Sequence, residues 1–187
     1  SIIMRSAGCV YNDIVDKKID IKVQRTKKRL IASGKITTKT AWVIILLLLI
    51  PAFIILFQLN NFSKILGLSS GLLIITYPFM KRITFWPQLF LGFTFNWGVL
   101  LGWSVFFENL TIEIIILYMA GVFWTLGYDT IYALQDRRDD LKIKVKSTAI
   151  KFEYDIKNFL FFCYISTITL LIGLGFLTNR SLAYFVL

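Results

Sequence analysis

Five apolar segments, each of about 20 residues and so long enough as a helix to cross a bilayer, leave this chain few ways to fold in water. They cover about residues 41–59, 64–80, 88–107, 113–133 and 159–177. Of the 187 residues, 57% are hydrophobic and 17% charged, a balance far from that of a soluble domain. The expected fold is all-α: a multi-pass transmembrane helical bundle over residues 1–187, with five full spans and partial helices at each end. The second segment is diluted by Gly67, Ser69, Ser70 and Gly71 and carries Pro78 near its end, but small residues are what close helix packing in a membrane uses. Pro51 falls mid-segment and predicts a kink.

The connections alternate in charge. Residues 14–40 hold nine Lys or Arg, residues 81–87 two and residues 136–158 seven, whereas 58–64, 108–112 and 178–180 hold one, none and one. That alternation follows the positive-inside pattern and places the three basic loops on the cytoplasmic side. The net charge of +10 arises there and favours contact with the anionic headgroups of the lipid bilayer. Cys9 and Cys163 sit in apolar surroundings without a partner motif, and the chain contains no histidine. A disulfide framework, a thiolate metal site and imidazole chemistry are therefore not expected.

Seven of the eight aspartates fall in two short stretches, Asn12–Asp20 and Asp129–Asp140. At about 100° per helical residue, Asn12, Asp16 and Asp20 share one face with Asp13 at its edge. Asp129, Asp136 and Asp140 form a similar stripe in the second stretch. Both belong to basic loops or their borders, hence to one side of the membrane. Such a density of carboxylates resists ionisation unless a cation is shared. Magnesium suits oxygen donors and keeps coordination positions for phosphate. Lys142 and Lys146 follow the second stretch and can neutralise phosphate oxygens, so the expected ligand is a diphosphate presented from the bilayer. The blander reading is that these acids only solvate helix ends and balance nearby lysines. Acids at the membrane boundary are costly enough to favour a functional reading.

The same residues resemble the UbiA superfamily of membrane prenyltransferases. Its signature N-D-x-x-D-x-x-x-D is matched by Asn12, Asp13, Asp16 and Asp20, and R-T-x-x-R-L-x-x-S-G by Arg25, Thr26, Arg29, Leu30, Ser33 and Gly34. The stretch Gly127–Ile150 is similar to the 4-hydroxybenzoate polyprenyltransferase branch, with Lys144 where that branch commonly has glycine. The resemblance implies Mg2+-dependent transfer of a polyprenyl group from polyprenyl diphosphate to the ring carbon of 4-hydroxybenzoate ortho to its hydroxyl, a membrane step of ubiquinone biosynthesis. No nucleic-acid partner is implied.

The resemblance makes Asp16, Asp20, Asp136 and Asp140 the catalytic acids and, with Asn12, the metal ligands. Asn12, Lys142 and Lys146 are expected to bind the diphosphate, and Arg5, seven residues before Asn12, to hold the acceptor carboxylate. Arg5 as an interfacial snorkelling residue is the plainer alternative. Asp13, Asp129 and Asp139 match signature positions without a separable role. Phe123, Trp124, Tyr128 and Tyr132 are candidates to face an allylic cation, although membrane helices carry aromatics for packing as well. A different aromatic acceptor such as a naphthoate or haem, or a non-catalytic scaffold or cation transporter, are the competing readings.

The chain starts at Ser1 without a methionine and stops seven residues into a last apolar stretch, so a fragment is expected. It corresponds to the middle of an architecture of nearly nine helices, with weak or no activity alone. A bacterial inner membrane is the expected location, ahead of a mitochondrial one.

Overall fold

A computed structural model describes residues 2–186. The described residues form helices and turns with no strand: α1 (Ile2–Asp20), α2 (Thr38–Phe57), α3 (Asn61–Ile83), α4 (Pro87–Phe107), α5 (Ile112–Lys142), α6 (Thr148–Lys151), α7 (Ile156–Leu177) and α8 (Leu182–Val186). Helices α2, α3, α4, α5 and α7 are each long and apolar enough to cross a membrane. The five predicted spans are thus all present, and the chain is a multi-span membrane protein. Large side chains such as Leu46, Leu47, Ile54, Phe161 and Ile168 are exposed on these helices, which suits a surface solvated by lipid rather than water.

The diluted second segment is a continuous helix of 23 residues, and neither Pro51 in α2 nor Pro78 in α3 interrupts its helix. Proline removes a backbone donor and crowds the preceding turn. Near Pro78, the Tyr11 hydroxyl of α1 donates to the Ile75 carbonyl at 3.4 Å, so a neighbouring helix serves an acceptor in the disturbed turn.

Helix α5 differs most from expectation. Its 31 residues extend about 46 Å at 1.5 Å each, well beyond a hydrocarbon core of about 30 Å. The predicted span over 113–133 is correct in kind, but the loop expected from residue 136 begins as two further helical turns. No glycine or proline separates Gly127 from Lys142, so nothing in the backbone stops the helix at the membrane boundary. It ends where Lys144 adopts a left-handed φ of 57°.

Packing proceeds in a chain of neighbours. Helix α1 lies against α2 and α3, α3 against α4, α4 against α5, and α5 against α6 and α7. Leu100, Ile114, Tyr118 and Val122 form the α4–α5 core, and Leu126, Phe159 and Cys163 the α5–α7 core. A side chain at Gly92 would press on the Val122 carbonyl at 3.0 Å, so this glycine sets how closely α4 and α5 approach. Polar groups inside the bundle are spent on neighbouring helices: Trp97 Nε1 donates to Leu66 O at 2.9 Å, Tyr118 Oη to Phe93 O at 2.9 Å, and Asn96 Nδ2 to Thr125 Oγ1 at 2.8 Å. At the end with few basic residues, Asn60 Nδ2 donates to Ser104 O at 2.9 Å. The opposite end gathers the C-termini of α1, α3 and α5 together with the basic loops.

Candidate functional site

At the basic end, α1, α3 and α5 and the turns after them enclose a cleft of about 240 Å³. One wall is α1, which contributes Asn12, Asp16 and Asp20. The facing wall is α5, with Asp129, Tyr132, Asp136 and Asp140. Tyr77 and Lys81 of α3, Gln88 of α4, Arg25 and Arg29 of the 21–37 loop, and Lys146 complete the lining. Spacings of four and seven residues keep each acidic set on one helical face. The packing of α1 on α3 and of α4 on α5 then turns the two faces toward each other.

Cations from elsewhere in the chain meet these acids. Asp16, only 1% exposed, pairs with Lys81 and lies 3.5 Å from the Arg82 guanidinium. Arg29 NH1 bridges Asp13 at 2.9 Å and Asp20 at 3.2 Å. Arg25 grips Asp136 from the loop, its Nε donating to Oδ1 at 2.9 Å and Oδ2 at 3.1 Å. Burial pushes the Asp16 and Asp13 carboxyls, which lie outside the five spans, above the usual carboxylate range, against the pull of Lys81 and Arg29 respectively. The hydrogen bond to Asp136 raises the Arg25 guanidinium further above its ordinary value.

The loop after α5 is built to deliver Lys146. The left-handed turn at Lys144 reverses the chain, and the Lys146 amide then donates to the Lys81 carbonyl at 2.8 Å. A buried network holds the next residues: the Thr148 amide donates to Gln88 Oε1 at 3.0 Å, and the Thr148 and Thr130 hydroxyls meet at 2.6 Å. Lys146 Nζ donates to the Ile83 carbonyl at 2.9 Å, which sets a second ammonium beside the acidic walls.

Of the residues singled out from the sequence, Asn12, Asp16, Asp20, Asp136, Asp140 and Lys146 line this cleft, and Asp129 joins them. Lys142 does not. Two residues beyond Asp140, it is turned about 160° from it around the helix, and it bonds Asp139 at 3.3 Å on the exposed side. Arg5 also lies outside the lining, its guanidinium 5.0 Å from the Phe95 ring. Sequence reasoning counted Lys81 and Arg82 only as topology signals and passed over Tyr77 and Gln88. A basic pair at the very end of a span, just after Pro78, was the available signal for the first two.

The donor set suits a hard cation. All the acidic and amide ligands are oxygens, and the chain has no histidine. No group of three or more acidic or thiol side chains gathers among the described residues closely enough to hold a metal by itself. Magnesium binds through one or two carboxylates with phosphate oxygens completing its shell, so these residues fit a cation that arrives with a diphosphate.

Comparison with known proteins adds an independent line. The sequence model of the UbiA prenyltransferase family matches residues 1–187. The mitochondrial 4-hydroxybenzoate polyprenyltransferase of Arabidopsis thaliana is 52% identical over 161 residues, covering 86% of this chain and 40% of that protein. The Caenorhabditis elegans protein of the same name is 45% identical, covering 100% and 52%. The 4-hydroxybenzoate octaprenyltransferase of Tolumonas auensis is 42% identical, covering 98% and 64%. The chain thus spans about half the length of the curated relatives it matches. The apo structure of a UbiA homolog from Aeropyrum pernix K1 superposes with a TM-score of 0.85 at 23% identity, over 99% of this chain and 70% of that one, and so shares the fold.

Proposed function

We propose a function from one premise: the chain belongs to the UbiA prenyltransferase family. It forms the acidic site of a membrane enzyme that moves a polyprenyl group from polyprenyl diphosphate to 4-hydroxybenzoate, at the ring carbon ortho to the hydroxyl, in ubiquinone biosynthesis. The observation that carries this reading is the pair of acidic walls facing across one cleft with Lys81 and Lys146 between them. The relatives named for 4-hydroxybenzoate support the acceptor.

Mg2+, when bound, supplies the positive charge that makes diphosphate a good leaving group. Asn12, Asp16 and Asp20 would hold it from α1, and Asp136 and Asp140 from α5. Lys81 and Lys146 offer ammonium donors to the phosphate oxygens. As the bond from allylic C1 to the diphosphate oxygen breaks, its electron pair leaves with the diphosphate. The ring carbon ortho to the phenol then donates its electrons to C1, and loss of the ring proton restores aromaticity. Tyr77 and Tyr132 line the cleft and present aromatic faces to the developing cation, while the apolar bundle keeps water from it. Arg5, about 10 Å along α1 from Asn12 at 1.5 Å per residue and outside the cleft lining, is assigned to the acceptor carboxylate, which a guanidinium would pair with.

We assign the three basic loops, about 14–40, 81–87 and 136–158, to the cytoplasmic or matrix face. Similar relatives are both mitochondrial and bacterial, so the reading is an inner membrane of either kind. The test is transfer of labelled prenyl diphosphate to 4-hydroxybenzoate by membranes carrying the full-length protein, with and without magnesium and in Asp16→Ala. Labelled 4-hydroxybenzoate product that vanishes on chelation and in the variant is expected. Transfer only to a naphthoate or haem acceptor would replace the acceptor assignment, and no binding of prenyl diphosphate would sink the enzyme reading.

A further inference from the structure

The loop between α1 and α2 touches α5 at two points. Arg25 takes both carboxylate oxygens of Asp136 through its guanidinium fork, and one residue earlier the Gln24 amide donates to Asp139 Oδ2 at 3.2 Å. Arg29, Lys81 and Arg82 instead pair with carboxylates of α1. Helix α1 packs chiefly on α2 and α3, and α5 on α4, α6 and α7. The Arg25–Asp136 pair is therefore a tie across the mouth of the cleft rather than part of a helix interface.

Two features make that tie releasable. The loop does not need it to fold, because Val23, Thr26 and Ile31 are buried and the Thr26 hydroxyl anchors to the Asp20 carbonyl at 3.1 Å. The two partners also differ in freedom: the Arg25 side chain is 54% exposed and that of Asp136 17%. The arginine can turn to water while the carboxylate stays with α5. A bidentate guanidinium uses the same oxygens that a divalent cation needs.

Building on the metal-dependent function proposed above, we propose that Arg25 and a divalent cation compete for Asp136. Cation entry releases Arg25, unties residues 21–37 from the end of α5, and frees the guanidinium for the phosphate oxygens of the prenyl donor. Arg25 is thus a positioning residue that keeps the site closed until the cation takes its place.

The competition can be read without any prenyl transfer. Mn2+ is titrated into the detergent-solubilised full-length protein with no diphosphate present, and free Mn2+ is followed by electron paramagnetic resonance. Arg25→Gln should bind Mn2+ about fivefold tighter than wild type, the size expected when one half-exposed ion pair stops competing. In an Asp136→Asn background the same substitution should make no difference. Wild-type or weaker affinity in Arg25→Gln overturns the proposal. If that variant does not fold, hydrogen exchange in wild type decides: exchange at the Gln24 backbone amide, which donates to Asp139, should rise on Mn2+ saturation, and unchanged exchange overturns the proposal. Absence of Mn2+ binding even with inorganic diphosphate added sinks the metal-dependent function as well, whereas binding that needs diphosphate, or that ignores Arg25, sinks the latch alone.

Discussion

The two acidic walls of the cleft are alike in sequence and different in state. On α1, Asp16 and Asp20 are 1% and 4% exposed, and both are answered by cations borrowed from α3 and from the 21–37 loop. On α5, Asp136 pairs with Arg25, while no ion pair among the described residues involves Asp129 or Asp140. The α1 wall is a structural element whose charges are satisfied by the fold, because an unpaired buried carboxylate is costly. The α5 wall carries two carboxylates that the fold leaves without an ion pair, of which the proposed function gives Asp140 to a ligand. The contrast separates two uses of one residue type, so substitutions on α1 should damage stability and activity together, and those on α5 mainly activity.

Asp16→Ala carries the largest expected effect. Prenyl transfer by the full-length protein should fall at least about 10²-fold, the range for losing one preorganised electrostatic group, and its melting temperature should fall too, since Lys81 loses its partner. Asp140→Ala should lose comparable turnover while its melting stays within about 0.5 kcal/mol of wild type. Equal destabilisation by both would erase the contrast between the walls. Lys81→Met comes next: it leaves Asp16 with only the longer contact to Arg82 and should cost about 2 kcal/mol in thermal unfolding, where Lys146→Met should weaken diphosphate binding without that loss.

A pH titration sharpens the same point. Carboxylates bind cations only when deprotonated, and burial raises Asp16 and Asp13. Mn2+ affinity should therefore decline on acidification before the pH reaches the ordinary carboxylate range. The next expected effect is a gain. Lys144 holds a left-handed φ of 57°, which costs a residue with a side chain about 1 kcal/mol, so Lys144→Gly should raise the melting temperature with Lys146 still delivered to the cleft. Lys142→Ala, outside the cleft, should stay within about 0.5 kcal/mol in stability.

Much of this molecule is readable in its residue order. The five spans follow from apolar length, and even the diluted segment around Gly67–Gly71 is helical, because backbone groups in lipid must be satisfied internally. The acidic faces followed from helical periodicity. Periodicity also turns Lys142 away from Asp140, but only in a helix, and the basic connection was expected to be a loop from residue 136. The assignment failed because α5 runs on past the bilayer boundary. Hydropathy locates where a helix leaves the lipid and is silent on where the helix ends.

The sequence by itself determined a multi-span helical protein with two oxygen-rich helix faces and basic loops on alternate connections. Those properties depend on residue order along one helix or on the transfer of a segment into lipid, and neither needs a partner. Only the tertiary structure decided that Lys81 answers Asp16 across 65 positions, that Arg25 answers Asp136 across 111, and that the Gln88–Thr148–Thr130 network brings Lys146 to the cleft. Charge pairs over such separations depend on which helices pack side by side and at what height, and no local pattern in the chain records that choice.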